Sequence, residues 1–413
     1  MKKKKAIWIA IIVLVAVLLA LAGGCFFLAE HTDIPKLYFE GDITQMLEKS
    51  DVRSISFEYR AEGQVLSGFA ELKVQGTSSL LYDKKNYTIK FYEDAEHSQK
   101  LKLDLGWGEQ SKYCLKANWI DRTHARNIVT ARLVTQIQQK YNVLTQAPCN
   151  GTIDGFPVEI YSNGKFLGLY TFNIPKDAWQ FGMDEDNPDH IVICGENWFP
   201  ANLFEAEPDF GSWAVEVGEE SEETLQKMKD LFRFVMDSTD EEFREQFEEH
   251  LDLDAALNYY VMTDFAYLPD NRGKNMLLAT YDGEKWYPSL YDLDTSWGTS
   301  DNGRALLDYE EELVEMSYSR LLERIETNFS EELAQRYFEL RQDILTKEHI
   351  MAEFEAFRDE IPTLSFVKEA IRWGSGAIRR TEDLPGYNYE QIEAYLDTVT
   401  DDLDAKYAAM LEG

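Results

Sequence analysis

Short segments in which apolar and polar residues alternate dominate the first part of the chain. A period of two places every second side chain on one face, and this pattern predicts antiparallel strands where turns that contain glycine separate the segments. The dipeptide Asn163-Gly164 between two such segments is a strong hairpin signal. Apolar residues that recur at helical spacing predict one sizeable helix over 122–141. The predicted strands cover residues 55–59, 65–74, 87–91, 113–117, 158–161 and 166–172.

The pattern changes after about residue 175, where helical periodicity takes over. Two further strands are predicted at 190–194 and 212–217, and a second hairpin turns at Asp282-Gly283. Nearly all of 306–411 is amphipathic helix, and the pattern leaves open whether this stretch belongs to the core or forms a docking extension. The other predicted helices cover 223–236 and 241–267, and the hairpin strands cover 275–280 and 285–291.

Together these patterns predict an α+β fold with two lobes. A sheet-rich N-terminal lobe is expected over 55–175 and a helix-rich C-terminal lobe over 176–413. Residues 30–54 are expected to form a linker that enters the first lobe. The loop and hairpin at 270–298 then lie inside the helix-rich lobe.

The first 29 residues form the clearest single feature of the sequence. Four lysines at positions 2–5 precede an uncharged run over 6–29, and about 20 apolar residues suffice to span a bilayer as a helix. The lysines favour the cytoplasmic side, so the run predicts a single-pass membrane anchor with the rest of the chain outside. The segment 22–25, Ala-Gly-Gly-Cys, also resembles a lipoprotein processing site, and that alternative places the domain outside as well.

Acidic residues outnumber basic ones, with 75 aspartates and glutamates, 41 lysines and arginines, and a net charge of −34. This charge argues against nucleic acid as a partner and suits a hard cation or a basic protein segment. At 44% hydrophobic residues, the composition is globular. The scarce cysteines form no CxxC pair and imply no disulfide framework, and Cys114, Cys149 and Cys194 are expected to be buried thiols.

The strongest chemical pattern is a polar loop followed by a hairpin and two aspartates. Asp270 and Asn275 lie five apart on the loop, and Asp292 and Asp294 follow the hairpin. Phosphoryl transfer requires a carboxylate that orients the attacking hydroxyl, and an amide and a carboxylate that hold magnesium against the phosphates. The alternative is that the loop residues only cap a helix and shape a turn. The aspartate pair is harder to explain structurally, because two acids in an apolar segment need a cation or a donor.

Two upstream features also suit phosphate binding. Lys90 ends an alternating strand, and a lysine that points inward from a sheet can position phosphates, although strand lysines usually face solvent. The loop that contains Gly76, Ser78 and Ser79 can offer backbone N–H groups to phosphate oxygens. An ordinary hairpin turn is the alternative for this loop.

These blocks together resemble the spore-coat protein H (CotH) kinase family. The resemblance covers roughly residues 50–300, and five blocks in order are far more specific than any one of them. The blocks are Gly76-Thr-Ser-Ser79 with Lys85-Asn-Tyr-Thr-Ile-Lys-Phe91, Leu115-Lys-Ala-Asn-Trp-Ile-Asp121 leading into Arg126-Asn127, Val158-Glu-Ile-Tyr-Ser-Asn-Gly-Lys-Phe-Leu-Gly-Leu-Tyr170, the loop from Asp270 to Asn275, and Tyr291-Asp-Leu-Asp-Thr-Ser-Trp-Gly298.

The resemblance implies an atypical protein-kinase-like fold and an activity that uses ATP and a divalent metal, Mg²⁺ or Mn²⁺, to phosphorylate proteins. It implies that Asp270 is the catalytic carboxylate and that Asn275 and Asp292 hold the metal, with Asp294 as a further metal candidate. Lys90 would bind the phosphates. The full set of nucleotide-binding candidates is Lys90, Gly76, Ser78, Ser79 and Arg126.

Three departures from the family pattern bear on nucleotide affinity more than on fold. The family's first block usually begins with arginine, and this chain has Gln75 there. Family members commonly have glutamate where this chain has Asn173. The predicted helix 122–141 contains no glutamate that could pair with the phosphate-binding lysine, so Glu159 or Asp121 are the candidates for that partner.

Three functions fit the sequence. The first is an atypical serine/threonine kinase that acts on a surface or spore-coat protein, with a basic or serine-rich segment as substrate. ATP is scarce outside cells, which leaves open a catalytically silent kinase-like module that serves as an adhesin or envelope scaffold. The third is a structural domain stabilised by calcium at Asp292 and Asp294. The joint presence of Lys90, Asp270, Asn275 and Asp292 favours the enzyme.

Overall fold

The computed structural model describes residues 34–197, 204–205, 207–299, 303, 318–374 and 385–412. Within these ranges, no helix combines the length and the apolar character that a membrane crossing requires. The predicted membrane anchor at 1–29 lies outside the described residues.

Seven strands close into a barrel, in the order β1-β2-β3-β4-β7-β9-β8. Every neighbouring pair is antiparallel except the closing pair, β1 with β8, which is parallel. The alternation in the sequence correctly predicted six of these strands. In chain order the strands are β1 (Lys36–Glu40), β2 (Val52–Ala61), β3 (Gln64–Gln75), β4 (Asn86–Tyr92), β5 (Leu103–Asp104), β6 (Glu109–Gln110), β7 (Lys112–Lys116), β8 (Gly155–Ser162) and β9 (Lys165–Asn173), with β5 and β6 as a separate pair.

The barrel interior is filled by the apolar positions of the alternating strands. Ile89 and Phe91 are fully buried, while their neighbours on β4, Thr88, Lys90 and Tyr92, are only partly buried. Phe91 stacks on Phe172 of β9 with the ring centroids 6.2 Å apart. Because inward side chains meet across the barrel, the period of two in the sequence translates directly into one packed core.

The prediction of a linker over 30–54 is wrong in its described part. β1 lies inside that segment, with Leu37 and Phe39 buried in the barrel, and β2 already begins at Val52. The strand was missed because five residues with two buried positions give too little alternation to distinguish a strand from a loop. The expected buried thiols are confirmed, since Cys114, Cys149 and Cys194 are free and buried.

Besides the barrel, the described residues form nine helices and a second, four-stranded sheet with the order β11-β10-β12-β13. This mixture of sheets and helices confirms the α+β prediction. The strands are β10 (Ile191–Gly195), β11 (Trp213–Val217), β12 (Met276–Thr280) and β13 (Trp286–Leu290). The helices are α1 (Arg126–Lys140), α2 (Glu222–Asp237), α3 (Asp240–His250), α4 (Leu253–Phe265), α5 (Arg320–Asn328), α6 (Ser330–Leu340), α7 (Lys347–Asp359), α8 (Thr363–Trp373) and α9 (Pro385–Glu412).

The described helices after residue 318 are part of the core rather than an extension. Tyr337 of α6 stacks on Tyr407 of α9 with the ring centroids 4.1 Å apart, and both rings are fully buried. The Tyr395 hydroxyl of α9 donates to the Phe265 carbonyl at the end of α4, over 3.0 Å. α8 returns to the barrel and packs against β9. The C-terminal helices therefore join both lobes.

Candidate active site

A narrow cleft separates the outer face of the barrel from the segment that follows β13. The barrel side presents the end of β7 and the turn before β4. The opposite side presents the start of α1 and the two aspartates that follow the second hairpin. The polar side chains that face the cleft include Ser79, Asn86, Lys116, Asn127, Asp292 and Asp294.

Lys116 is the cation at the centre of this cleft. Its side chain is 10% exposed, and its Nζ lies 3.5 Å from Asp292 Oδ1 and 5.3 Å from the centroid of the Tyr291 ring. Burial by itself lowers the pKa of Lys116, but Tyr291, Asp292, Cys114 and Asp294 together outweigh burial and raise the pKa above its ordinary value. Lys116 therefore carries its charge at neutral pH and directs it at the aspartates.

Backbone geometry presents Asp292 to the cleft. Its φ angle of 59° lies in the left-handed region, which a residue with a side chain seldom adopts without support. The support comes from α1, because the Leu293 amide donates to Asn127 Oδ1 over 3.1 Å, and Trp297 Nε1 donates to Thr130 Oγ1 over 2.8 Å. These bonds hold the segment so that the Asp292 side chain stays 41% exposed toward the cleft.

Asp294 lies in an excess of negative charge. Burial and the nearby carboxylate of Asp292 raise the pKa of Asp294 to about 8, against a lowering effect of Lys116. Asp121 and Asp270 add smaller contributions in the same direction as Asp292. The four carboxylates are thus close enough to influence the pKa of Asp294, and the lowering effect of Lys116 does not cancel theirs.

The position of Asp270 is set by the turn Asp270–Arg272, which precedes β12. Arg272 forms a buried salt bridge with Asp264 of α4, and Lys406 of α9 joins the same carboxylate at 2.6 Å. Helices α4 and α9 therefore anchor the turn from behind. Its first residue, Asp270, stays partly exposed and close enough to Asp294 to raise the pKa of that carboxyl group.

Two asparagines connect this turn to the aspartate segment. Asn271 Nδ2 donates to the Tyr291 carbonyl over 2.7 Å and to the Asn275 carbonyl over 3.5 Å. Asn275 itself has a φ angle of 62°, and its backbone N–H donates to the Gly195 carbonyl over 2.8 Å. Asn271 Oδ1 is buried and has no hydrogen-bond partner among the described residues. The loop thus places an unsatisfied amide group next to the backbone at Tyr291, the residue before Asp292.

These residues fit a hard divalent cation. The donors are carboxylate and amide oxygens, which Mg²⁺, Mn²⁺ and Ca²⁺ prefer. The raised pKa of Asp294 and the unpartnered Asn271 oxygen both indicate a site that lacks positive charge. In the described chain, Asp270, Asp292 and Asp294 do not bring three ligand atoms within 4.8 Å of one another. That spread suits magnesium, which is held by one or two carboxylates while waters and phosphates complete its shell.

A second acidic group lies beside the loop but holds an ammonium group. In the described residues, Cys194, Glu196 and Glu216 are the set whose ligand atoms lie within 4.8 Å of one another. Lys176 Nζ lies 2.6 Å from Glu216 Oε1, 3.9 Å from Glu196 Oε1 and 3.3 Å from Cys194 Sγ. The lysine supplies the positive charge that a metal would bring, so this group does not resemble an open metal site.

The predicted phosphate loop borders the cleft at one residue. Gly76 has a φ angle of 111°, a backbone conformation that favours glycine, and a Cβ there would lie 1.8 Å from Ser79 Oγ and force that side chain to move. Ser79 faces the cleft and accepts a hydrogen bond from Asn86 Nδ2 over 3.3 Å. Ser78 is exposed on the adjoining turn and is not among the residues that line the cleft.

Of the two orientations that the sequence left open for Lys90, the structure has the solvent-facing one and not the inward one. Its side chain is 44% exposed on the outer face of β4 and lies 3.4 Å from Glu71 Oε1. Lys90 is paired in register with Lys112, at the far end of β7 from Lys116. Four residues along a strand correspond to roughly 13 Å, so the structure does not bring Lys90 to the aspartates. Lys90 instead lines a separate groove with Lys100 and Lys112.

Protein groups enclose the Arg126 side chain on all sides. Its side chain is fully buried, with Nη1 2.7 Å from Asp121 Oδ1, Nη2 donating to Gln391 Oε1 over 2.6 Å and Nε donating to the Ser296 carbonyl over 3.1 Å. The guanidinium therefore ties α1 to the aspartate segment and to α9. The structure does not present Arg126 to a nucleotide in the cleft.

The proposed partners of the phosphate-binding lysine are engaged elsewhere. Asp121 pairs with Arg126, and Glu159 pairs with Lys368 of α8. Asn173, where relatives commonly have glutamate, lies two residues beyond Thr171 on β9, next to the end of β7. It is buried, and neither amide atom has a hydrogen-bond partner within the described chain. A carboxylate at this position would lie diagonally across from Lys116, and this chain lacks it.

The first of the departures, Gln75, contacts the lysine directly. With its amide oriented to satisfy both neighbours, Gln75 accepts a hydrogen bond from Lys116 Nζ over 3.3 Å and donates one to Thr88 Oγ1 over 3.1 Å. A neutral amide therefore supports the cation from the barrel side.

Sequence reasoning missed Lys116, Asn127 and Asn271. A signal existed for the first two, because Lys116 lies in the block that runs to Asp121 and Asn127 follows Arg126 in the same block. Their roles depend on which strands and helices become neighbours. Asn271 lies between Asp270 and Asn275, and only its unsatisfied oxygen in the folded chain distinguishes it.

Comparison with known proteins agrees with this geometry. A family model described as CotH kinase protein matches residues 72–400, which is most of the chain and includes Lys116 and all four carboxylates. The match confirms the resemblance seen in the sequence. No curated protein matches the chain.

Proposed function

Since the chain belongs to the CotH kinase family, we propose that this cleft is the active site of a metal-dependent protein kinase. The reaction would transfer the γ-phosphoryl group of ATP to a serine or threonine hydroxyl of a surface or spore-coat protein, with a kinase-like division of the chain into two lobes. The observation that carries the proposal is the convergence of Lys116, Asp292 and Asp294 on one cleft, with Asp270 close enough to raise the pKa of Asp294.

Each residue has a role that its surroundings support. Lys116 would hold the nucleotide phosphates, because it is charged, nearly buried and faces the aspartates. Asp270, partly exposed at the edge of the cluster, would orient the substrate hydroxyl and accept its proton. Ser79 and the turn at Gly76 would border the phosphates from the barrel side.

Asp292 and Asp294 would hold Mg²⁺ or Mn²⁺ together with the amide oxygens of Asn275 or Asn271. A bound cation would supply positive charge to the phosphates during transfer. Asn271 would also brace the two halves of the site, because its amide already joins Tyr291 and Asn275.

The proposal includes a location. The lysines at 2–5 and the uncharged run at 6–29 would anchor the chain in the cell membrane, through a spanning helix or through lipid at Cys25, with the kinase domain outside. A strongly acidic domain outside the membrane suits a basic or serine-rich protein substrate. ATP would have to be supplied in that compartment.

The test uses the full chain in detergent, incubated with Mg²⁺ or Mn²⁺ and ATP labelled on the γ-phosphate. We expect label on the chain itself or on a basic test protein. Asp270→Asn and Asp292→Asn should each lower the rate at least about 10²-fold, because each removes a charge that acts in the transition state.

Lys90→Met is the matched control for Lys116→Met. Both substitutions remove a lysine from the outer face of the barrel, and only Lys116 faces the cleft. The control should retain the activity of the parent, whereas the Lys116 variant should lose it. Label that survives the two aspartate changes, or an absence of any nucleotide-dependent thermal shift in the parent, would overturn the kinase and favour a silent binding module.

A further inference from the structure

We infer that α8 rests on the lipid surface of the membrane through the face formed by Leu364, Val367 and Ile371. The inference rests on the membrane anchoring proposed above and does not depend on kinase activity. It adds an orientation of the domain to that proposal, because a particular helix would face the bilayer.

The polarity of α8 is reversed relative to an ordinary surface helix. Its buried residues are polar: the Ser365 hydroxyl donates to Glu159 Oε1 over 2.7 Å, and Glu369 pairs with Lys84 at 2.7 Å. Its apolar residues Leu364, Val367 and Ile371 are 50%, 45% and 80% exposed. Spacings of three and four residues place all three on one face of the helix.

Exposed hydrophobic residues are concentrated on this face of α8. Nine large hydrophobic residues are exposed in the described part of the chain, and three of them lie on this one helix of 11 residues. Singly exposed apolar residues are normal, but a continuous helical stripe indicates a surface that is covered in use. The polar contacts of Ser365 and Glu369 fix the helix in this orientation, so a rotation that buries the stripe would break them.

The stripe lies beside the point where the chain enters the domain. The Glu159 amide donates to the Pro35 carbonyl over 2.9 Å, and Lys36 is paired in register with Glu159. The Glu159 carboxylate holds Ser365 and Lys368 of α8. One residue of β8 therefore joins the start of β1 to the helix.

The connection to the proposed anchor is short. The uncharged run ends at Ala29 and the described chain begins at Ile34. Five peptide steps span at most about 18 Å, so a bilayer that holds the run at 6–29 must pass close to the start of β1. The surface around β1, which includes α8, then faces the headgroups.

The charges on α8 also suit a lipid surface. Its acidic residue, Glu369, points inward and is neutralised by Lys84, whereas Arg372 is exposed. Trp373 is only partly buried and donates through Nε1 to the Leu167 carbonyl over 2.7 Å. An apolar stripe flanked by an arginine and a tryptophan is typical of a helix that lies at the membrane interface. Two copies of a chain with a net charge of −34 repel each other, so an uncharged stripe beside the exposed Arg372 favours a lipid surface over a second copy.

The test places a fluorescent probe on the stripe of the full chain. The background carries Cys25→Ser, and because Cys114, Cys149 and Cys194 are buried, an introduced cysteine is the accessible thiol. Ile371→Cys is labelled, and the chain is reconstituted into phosphatidylcholine vesicles that contain phosphatidylglycerol. Lipids with a nitroxide near the headgroup then quench a probe that touches the bilayer. We expect quenching at Ile371→Cys at least threefold stronger than at the control.

The matched control is Val52→Cys. Val52 is 54% exposed, and it lies eight residues along β2 from Arg60, the partner of Lys36 in register. That separation corresponds to roughly 26 Å from the entry point of the chain. Adding Leu364→Ser and Val367→Ser to the labelled Ile371→Cys chain should reduce its quenching toward the control value, with an unchanged thermal melt showing that the fold is retained.

Each other outcome overturns a defined part of the proposal. Because the background lacks Cys25, a chain that does not float with the vesicles contradicts anchoring through a spanning helix and, with it, the contact of α8 with lipid. A chain that floats but shows equal quenching at positions 371 and 52 contradicts the contact alone. Crosslinks between the labelled cysteines of two copies without lipid quenching would assign the stripe to a dimer. Kinase activity is measured on the same samples. Neither a failure to float nor equal quenching predicts a loss of this activity, so the lipid contact and the kinase proposal are tested separately.

Discussion

Lys84 and Lys116 line the same cleft, and both are nearly inaccessible to solvent, yet their surroundings differ. Lys84 Nζ donates to the Ala117 carbonyl over 2.8 Å, to Glu369 Oε1 over 2.7 Å and to the Leu169 carbonyl. An ammonium group has three donors, so these acceptors satisfy it completely. Within the described chain Lys116 has one salt bridge, with Asp292 at 3.5 Å, and it shares an open cleft with the carboxylates of Asp292 and Asp294.

The two environments distinguish a lysine with a structural role from one with a functional role. Burial lowers the pKa of Lys84, and the Glu369 carboxylate offsets only part of that effect, whereas the pKa of Lys116 is raised by acidic neighbours. A saturated lysine joins two elements, here the barrel and α8. A lysine that faces more negative charge than it can neutralise belongs to a site that a bound cation or ligand completes.

The largest effect expected from this comparison is on stability at Lys84. Lys84→Met leaves the Glu369 carboxylate buried without its cation, so the free energy of unfolding should fall by about 3–5 kcal/mol. Urea denaturation measures it. Combining Lys84→Met with Glu369→Leu should recover most of the loss, because a buried ion pair can be replaced by apolar groups. A variant that stays stable but loses kinase activity would reverse the assignment of the two lysines.

At Lys116 the expected loss is in activity. Lys116→Met should lower the rate of phosphoryl transfer about 10²–10³-fold, which corresponds to roughly 3–4 kcal/mol of transition-state stabilisation. Its free energy of unfolding should change by at most about 1 kcal/mol, because the partner Asp292 is 41% exposed and remains hydrated. Radiolabel transfer and urea denaturation on the same preparation test both statements. Equal losses of stability at the two lysines would remove the distinction.

A third prediction concerns pH in the metal-free protein. Burial and the charge of Asp292 raise the pKa of Asp294 to about 8, so the folded state binds this proton more tightly than the unfolded chain does. Its contribution to stability is therefore present below the unfolded value near 4 and is lost as pH rises toward 8. Asp294→Asn should exceed the parent in stability by about 1–3 kcal/mol at pH 8, and by less at pH 5.5.

Thermal melts in a chelator, followed by addition of Mg²⁺, measure this effect. The cation should stabilise the parent at pH 8 and stabilise Asp294→Asn much less, because the variant has lost a carboxylate ligand. If the stability difference between the parent and Asp294→Asn is the same at pH 5.5 and pH 8, the pKa of the Asp294 carboxyl group is not perturbed.

The smallest effect is expected at Gln75, which supports Lys116 from the barrel. Gln75→Ala removes one hydrogen bond to Nζ and should lower the activity about two- to tenfold, in line with about 0.5–1.5 kcal/mol per hydrogen bond. Gln64→Ala, at the exposed start of the same strand, is the control and should have no effect. A larger loss than at Lys116 would place the phosphate contact at residue 75 instead.

Much of the fold could be predicted because each barrel strand buries one face. The period of two marked six strands, and Asn163-Gly164 marked the turn between β8 and β9, where both residues have positive φ angles. β1 escaped detection because it is short, and its place in the barrel depends on β2 and on β8, which lies far along the chain. The sequence pattern predicts a strand well when the strand is long. It predicts a strand poorly when the strand is short and is defined only by its pairing with distant strands.

The candidate site could likewise be predicted only where its residues are close together in the sequence. Asp270, Asp292 and Asp294 were found from the sequence because loop, hairpin and acid pair are consecutive along the chain. The lysine was assigned to Lys90 instead of Lys116, and the two lie on neighbouring strands with the same outward orientation. The register between β4 and β7 decides which of them meets the aspartates, and no local pattern carries that information.

The parallel pairing of β1 with β8 has a consequence for how the chain is made. β1 emerges from the ribosome early, and its second partner follows only about 120 residues later, which at 5–20 residues per second takes on the order of ten seconds. During that interval one side of β1 presents unpaired backbone donors and acceptors, an edge on which another extended segment can add. Closure of the barrel then removes this edge. The time between the two strands is therefore the period in which the nascent chain most needs protection by a chaperone.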